Sequence, residues 1–353
     1  MKKRFLEYKF KTFNLKRSKR KKREKKYIPN PYHLSSKIYE KIHIFQTLKG
    51  KEKLKTPDDF RFIDNTEECL SFIQSLRSEN YIINVEKKKY IILDFSNVRQ
   101  IDYAIISVLK ALIEELSSKK IAVCGNFPED NICKNYLAES GFLNSMTDFK
   151  GKKYKKNHES EIMLFEQGKN TLSQQENAKL GEKIKWIRKH LTNEEKHFNP
   201  LKTIILEICG NSIEHNDEDN KKWYFGVKFQ DDKVICTATD IGYGILNTLK
   251  RDLKSGFIDF LGSRNEIEFL QGAFIQKYGS QTREQNRNKG LPAIKKAYEK
   301  GYISNLLVIT NNVILHFDDQ KKSIIFKNNK QFTGTFYQWE INKNSFSTKN
   351  SYE

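Results

Sequence analysis

The stretch Tyr90-Ile91-Ile92-Leu93-Asp94-Phe95 decides the fold class of the first half of the chain. Its apolar residues follow one another without polar interruption until Asp94, which is typical of a strand covered on both faces. Before it, Leu70, Ile73 and Leu76 repeat at helical spacing, and after it Ile105–Leu116 is amphipathic. A strand between two helices predicts a mainly parallel sheet with helical cover.

The neighbouring segments continue the alternation of strands and helices. Phe60–Ile63 and Ile121–Cys124 have the composition of short strands. A helix through Tyr136 and Leu137 is expected to end at Gly141, because glycine is favoured just after a helix. Residues 56–148 are therefore predicted to form one α/β domain.

This domain resembles a STAS domain, the fold of anti-sigma-factor antagonists. The matching text is Leu93-Asp94-Phe95-Ser96-Asn97-Val98, Ile101-Asp102, the helix Ile105–Leu112, Gly125 and Ser140-Gly141-Phe142. In regulatory members of the family a phosphorylatable serine follows the aspartate, but here that position is Tyr103 and Ser107 lies one helical turn further on. The resemblance implies either a phosphorylation-regulated domain or a docking or dimerising domain without phosphorylation.

The positive charge of the chain is concentrated at its beginning. Residues 1–26 contain fourteen Lys or Arg and two Glu, a net charge of +12 out of +20 for the whole chain. Lys16–Lys26 has no apolar residue and cannot contribute to a core. Two interpretations stay open: a solvated tail, or an arm that binds nucleic acid or another polyanion by neutralising phosphates.

Composition also excludes several protein classes. No run of 18 apolar residues occurs, so no membrane-spanning helix is expected. The five cysteines are odd in number and have unrelated spacings, which predicts reduced thiols in a cytoplasmic compartment. The sequence contains neither GxxxxGK[ST] nor HExxH, which removes two common nucleotide and zinc motifs.

A second segment contains a polar stripe on a predicted helix. Glu207, Asn211 and His215 are spaced four residues apart, so their side chains lie along one helix face. A carboxylate one turn from a carboxamide suits a Mg²⁺-phosphate site, because the amide oxygen is a hard ligand and the carboxylate can orient a water or hydroxyl. The alternative is an ordinary solvated face.

Glycine-containing segments follow this helix. Asp240-Ile241-Gly242-Tyr243-Gly244-Ile245 ends a predicted strand, and its glycines allow the backbone to approach a ligand closely. Arg287-Asn288-Lys289-Gly290-Leu291 precedes Pro292, which suits the first turn of a helix, and exposed amides there favour phosphate. Gly334-Thr335 opens the last predicted strand.

In this order, the four segments resemble the GHKL ATPase domain, over about residues 176–342. The resemblance implies that Glu207 is the catalytic base, that Asn211 binds Mg²⁺, and that Asp240 recognises adenine. It also implies a lid at 246–289. The other implied ATP-binding residues are His215, Gly242, Gly244, Ile245, Arg287, Asn288, Lys289, Gly290, Leu291 and Thr335. One departure is Asn288, which replaces the first glycine of the second glycine box.

The predicted fold is an α/β chain with an N-terminal STAS-like domain and a two-layer α/β GHKL (Bergerat) sandwich. The predicted divisions are a basic tail at 1–30, a linker at 31–55, the STAS-like domain at 56–148, a linker at 149–172, the GHKL domain at 173–345 and a tail at 346–353. The predicted function is Mg²⁺-dependent ATP hydrolysis or serine/threonine phosphorylation, as in anti-sigma-factor kinases. The alternatives are a non-catalytic ATP-gated switch or adaptor that acts through partner docking, and a polyanion or nucleic-acid binder through residues 1–26. The expected partner is another protein or a second copy of the chain.

Overall fold

Two larger sheets, a two-stranded parallel sheet (Asp59–Phe60 with Gln100–Ile101) and eight α-helices make up the part of the chain that the computed structural model describes, namely residues 48, 50–85, 87–145, 163–169, 173–215, 222–252, 265–275 and 290–347. The strands are β1 (Leu54–Lys55), β2 (Asp59–Phe60), β3 (Ile83–Val85), β4 (Lys88–Asp94), β5 (Gln100–Ile101), β6 (Ile121–Gly125), β7 (Met163–Lys169), β8 (Lys222–Phe229), β9 (Lys233–Asp240), β10 (Ser304–Asn311), β11 (Val313–His316), β12 (Ile324–Ile325) and β13 (Phe332–Asn342). The helices are α1 (Thr66–Arg77), α2 (Tyr103–Ser118), α3 (Asn131–Glu139), α4 (Gln174–Thr192), α5 (Asn199–His215), α6 (Ile245–Asp252), α7 (Glu266–Phe274) and α8 (Gly290–Glu299).

The first sheet forms around β4, as the apolar run predicts. β6 pairs with β4 in parallel on one side, while β1 (parallel) and β3 (antiparallel) pair with the two ends of its other side. Ile91, Ile92 and Leu93 are all buried, so both faces of β4 are covered. The strand predicted at 60–63 is shorter, because Arg61 pairs with Asp59 and Asp64 in a turn that follows β2.

The second sheet has seven strands in the order β12-β11-β10-β13-β9-β8-β7, and every pairing is antiparallel. Its edge strand β7 lies within the linker predicted at 149–172. The segment has no sustained polar–apolar alternation, and its place in the sheet depends on distant residues. The Trp223 ring, for example, lies directly over Gly168.

Both faces of the second sheet are covered. Tyr337 and Trp339 of β13 point into a core formed with helices α4, α5, α7 and α8. Phe332 and Phe336 point to the other face, where the ring of Phe62 lies 5.7 and 5.3 Å from theirs. Helix α2 also packs against β8 and β9 on that face. Helices α4, α5, α7 and α8 therefore cover one face of the second sheet, and the first α/β unit (residues 50–145) covers the other face.

Two further predicted segments differ from the structure. The lid predicted at 246–289 includes core residues, because Leu246, Phe269 and Leu270 are fully buried. Residues 253–264 and 276–289 of that segment lie outside the described residues. The tail predicted from 346 begins with a packed residue, since the Phe346 ring is 4.6 Å from that of Phe198.

All five cysteines are buried and free. Burial raises the pKa of Cys124 to about 12 and that of Cys133 to about 11, because the thiolate is poorly solvated. We expect the native thiols to be almost unreactive toward Ellman's reagent at pH 8, and all five to react in guanidinium chloride. Fast labelling of any thiol in the native protein would contradict this packing.

Candidate functional site

The candidate site lies at one end of the second sheet. Asp240 ends β9, Thr335 pairs with it across β13, and Thr310 of β10 pairs with Thr335. Trp223 pairs with Asp240 on the other side and belongs to the helix-covered core. Directly paired residues share a face, so Asp240, Thr335 and Thr310 all face the helical layer.

The turn after Asp240 has the geometry that its glycines predict. The Gly242 N–H donates to Asp240 Oδ1 over 3.0 Å, and Gly244 has a φ of +80°. Gly334, with a φ of +137°, lets β13 approach β9 so closely that a Cβ there would be 2.2 Å from the Asp240 carbonyl oxygen. Asp240 itself is buried, with 8% of its surface exposed. A carboxylate is therefore held firmly at this strand end.

Thr310 and Asn311 belong to this site, although neither lies in one of the four motif segments. Thr310 Oγ1 accepts from the Ile245 N–H (2.9 Å) and donates to the Gly334 carbonyl (3.0 Å). Asn311 Oδ1 accepts from the Leu246 N–H over 3.0 Å, and its Nδ2 donates to the Tyr243 carbonyl over 2.8 Å. These bonds already use the first amides of α6, so Ile245 can contact a ligand only through its side chain. One feature of the sequence points to Asn311: it lies at the tight turn between β10 and β11, where the left-handed backbone conformation favours asparagine.

Glu207, Asn211 and Gly290 come together from segments about 80 residues apart. A Cβ placed on Gly290 would lie 3.0 Å from the side chains of both Glu207 and Asn211. Gly290 is the first residue of α8, and Leu291 packs against the helical core. The start of α8 therefore lies against the carboxylate–carboxamide pair of α5.

The lengths of α5 and β9 indicate that the pair on α5 lies toward the same end of the sheet as Asp240. The residue before α5, Phe198, packs on Tyr302 (5.9 Å) and Phe346 (4.6 Å), which lie where β10 begins and β13 ends. From that end, the 13 residues to Asn211 extend about 20 Å along the helix. The seven steps of β9 run from Lys233, which pairs with Asn342 at the end of β13, to Asp240, and they extend about 23 Å from that sheet end. Both segments therefore end near the same edge of the helical layer.

The donor set at this sheet end is oxygen-rich and glycine-lined. Asp240 and Glu207 supply carboxylates, Asn211 a carboxamide, and Thr335 a hydroxyl. The pKa of buried Tyr337 is raised by desolvation and by the neighbouring charge of Asp240. Among the described residues no group of three His, Cys, Asp or Glu side chains could hold a metal alone. Mg²⁺ would thus depend on Asn211 together with ligand oxygens.

Some predicted site residues cannot be placed. Arg287, Asn288 and Lys289 lie outside the described residues, as do residues 1–26 of the basic arm. His215 ends α5, and its side chain is also outside the description. Their predicted contacts with ATP or with a polyanion stay predictions.

Tyr103, at the position where regulatory STAS domains carry a phosphorylatable serine, is buried where the first α/β unit packs on the second sheet. This tyrosine is the first residue of α2. Burial raises the pKa of its hydroxyl well above the ordinary value, although hydrogen bonds with the Val227 backbone and with Ser107 act in the opposite direction. Ser107 is 3% exposed, and its hydroxyl is 2.7 Å from that of Thr237 on β9. Asp102 caps α2 by accepting from the Ile105 N–H, and burial raises its pKa to about 6. Neither hydroxyl is accessible in this arrangement.

Comparison with known families identifies a STAS domain at residues 54–124, which agrees with the resemblance in the sequence. The match begins with β1, inside the linker predicted at 31–55, and ends in β6. No curated protein matches the chain significantly. The chain is thus mixed α/β, with an N-terminal STAS domain of a kind that often mediates protein–protein interactions and fits regulation like that by anti-sigma-factor antagonists. No described helix is long and apolar enough to cross a bilayer.

Proposed function

We propose that the chain is a regulatory protein that binds ATP at the end of the second sheet, between the sheet and helices α5 and α8. The observation that carries this proposal is the contact of Glu207 and Asn211 with Gly290. The lengths of α5 and β9 favour a position for this contact near the sheet end where Asp240 pairs with Thr335. These are the segments that resemble the GHKL motifs.

The residues present suit a nucleotide with Mg²⁺. Asp240, held at the strand end by Gly242, can accept a hydrogen bond from an exocyclic amine such as adenine N6. Asn211 offers a neutral oxygen ligand beside Glu207, which is placed to orient a water or a hydroxyl. Bound Mg²⁺ would offset phosphate charge. Because Gly290 has no side chain, the start of α8 can lie close to Glu207 and Asn211 of α5.

Asp240→Asn should weaken ATP binding by about 10- to 100-fold, because a hydrogen bond to a carboxylate is worth about 1.5–3 kcal/mol and the amide offers a competing donor. Calorimetric titration of the full chain with ATP in Mg²⁺ measures this change. The matched control is Asp232→Asn, in the exposed turn before β9, which should leave affinity unchanged. Equal affinities for the two variants would refute the role of Asp240.

A second candidate, the non-catalytic ATP-gated switch, is favoured by the burial of Tyr103 and Ser107. A kinase that phosphorylates its own STAS domain at or near the usual position would need one of these hydroxyls exposed, and Ser107 is instead bonded to Thr237. In the switch, ATP binding would change how the chain docks to a protein partner, without hydrolysis. Negligible turnover together with nucleotide-dependent partner capture would favour it over the ATPase or kinase.

A further inference from the structure

Arg77, the last residue of α1 in the STAS domain, reaches both backbone segments that form the candidate nucleotide site. Its Nη1 donates to the Thr333 carbonyl over 2.8 Å and also to the Thr333 hydroxyl. Its Nη2 lies 3.5 Å from the Ile241 carbonyl oxygen. Ile241 directly follows Asp240, and Thr333 precedes Gly334-Thr335. One side chain thus connects the first domain to both strands of the site.

Glu115 on α2 holds the Arg77 guanidinium group in place through hydrogen bonds. Nε and Nη2 of Arg77 donate to Glu115 Oε2 over 3.0 and 2.9 Å, and Lys119 Nζ is 2.8 Å from the other oxygen. The side chains of Arg77 and Glu115 are only 17% and 10% exposed. Such a buried pair keeps a defined geometry, because the planar guanidinium loses little freedom when its donors are engaged.

The residue that Arg77 binds lies in an irregular part of β13. The register passes from Thr310–Thr335 to Asn311–Phe332, so Thr333 and Gly334 are two extra residues on β13. A bulge interrupts the hydrogen-bond ladder, and its conformation then depends on other contacts. Arg77 supplies such a contact at Thr333, two residues from the member of the site that pairs with Asp240.

We propose that Arg77 is a positioning residue through which the STAS domain sets the nucleotide affinity of the second sheet. Arg77, fixed by Glu115, holds the bulge of β13 and the turn after β9 in place. The identity of the ligand rests on the proposed function, whereas the positioning concerns the backbone alone. Because linkage is reciprocal, a ligand at this site would strengthen STAS docking by the same factor. A partner that displaced α1 would weaken nucleotide binding.

The test compares two variants of the full chain by hydrogen exchange without nucleotide. Arg77→Gln should speed exchange of amides in 241–244 and 333–335 by at least about tenfold, since their tertiary contact is lost. The control is Lys228→Met, which removes another contact with the first α/β unit, the 3.1 Å bond to the Tyr136 hydroxyl. Lys228 pairs with Ile235, about 16 Å along β9 from Asp240. The control should leave exchange in both segments unchanged.

Titration with Mg²⁺-ATP gives the second readout. We expect about tenfold weaker binding for Arg77→Gln, equivalent to about 1.4 kcal/mol, and a change below about twofold for Lys228→Met. Thr333→Val, which removes only the hydroxyl acceptor, should speed amide exchange in 241–244 and 333–335 by about threefold. This variant takes the place of Arg77→Gln if Arg77→Gln does not fold.

Unchanged exchange in Arg77→Gln, or an equal increase in Lys228→Met, would overturn the positioning role. If exchange changes as expected but the wild-type chain does not bind ATP, the positioning role stands and the proposed function fails. If ATP binds to the wild type and to Arg77→Gln equally, the proposed function stands and the coupling fails.

Discussion

Glu207→Ala should retain ATP affinity within about threefold and lose turnover by about 100-fold or more, the usual contribution of a positioned general base. Glu207 is half-buried beside Asn211 and Gly290, so truncation leaves the proposed Asp240 and Asn211 contacts in place. Release of phosphate from labelled ATP, measured with and without Mg²⁺, gives the rate. Mass spectrometry of the products tests for phosphorylated residues.

Two variants control this experiment. Glu207→Gln keeps the shape of the side chain but cannot act as a base, so its turnover should fall with that of Glu207→Ala. Glu182→Ala removes an exposed carboxylate on α4, whose ion-pair partner is Lys185, and should keep full turnover. Turnover that survives in both Glu207 variants would remove this residue from catalysis.

Ser107→Asp should destabilise the chain by about 3–5 kcal/mol, the cost of leaving a buried charge without a counter-ion. The Ser107 hydroxyl is 3% exposed, and it lies between Tyr103 on its own helix and Thr237 on the second sheet. A carboxylate there must lose its hydration or separate α2 from the sheet. Urea unfolding followed by circular dichroism measures the change.

Ser117→Asp is the matched control, because Ser117 lies on the same helix and is exposed. Its cost should stay below about 1 kcal/mol, from the unfavourable placement of a negative charge near a helix C-terminus. If Ser107→Asp were as mild as this control, α2 would not be docked on the second sheet. Phosphorylation of Ser107 would then be compatible with the fold.

Local patterns in the sequence were sufficient for much of the fold. The apolar run at β4 required cover on both faces, and the helical repeat before it became α1, because these signals depend only on neighbouring residues. Asp231 and Asp232 likewise form a hairpin turn between β8 and β9, as two turn-favouring residues between apolar strands predict. The 2.9 Å bond from the Gln230 N–H to the Lys233 carbonyl closes this turn.

Contacts between distant segments could not be predicted in this way. The edge strand β7 depends on pairing with β8 about 60 residues later, and its own residues carry no clear periodicity. Thr310 and Asn311 bind the turn at 243–246 across about 65 residues, and the asparagine in a tight turn, the one local signal, does not reveal that contact. The packing of Tyr103 and Ser107 against the second sheet could not be predicted either, because an apolar helix face does not specify which surface it packs on.

The candidate site came from a resemblance and not from spacing alone. Four-residue spacing placed Glu207 and Asn211 on one face, but it could not say that the start of α8 would contact them. The register of β13 with β9 brings Thr335 to Asp240, a pairing that the order of the motifs does not specify. ATP as the ligand of these residues stays a proposal.

Photolabelling of the full chain with 8-azido-ATP in Mg²⁺, followed by peptide mapping, tests the central claim most directly. We predict label on peptides that contain residues 207–215, 240–245 or 290–299, and loss of that label when unmodified ATP competes. Label confined to other peptides, such as those of the STAS domain at 54–124, or label that ATP does not displace, would contradict a nucleotide site at this end of the second sheet.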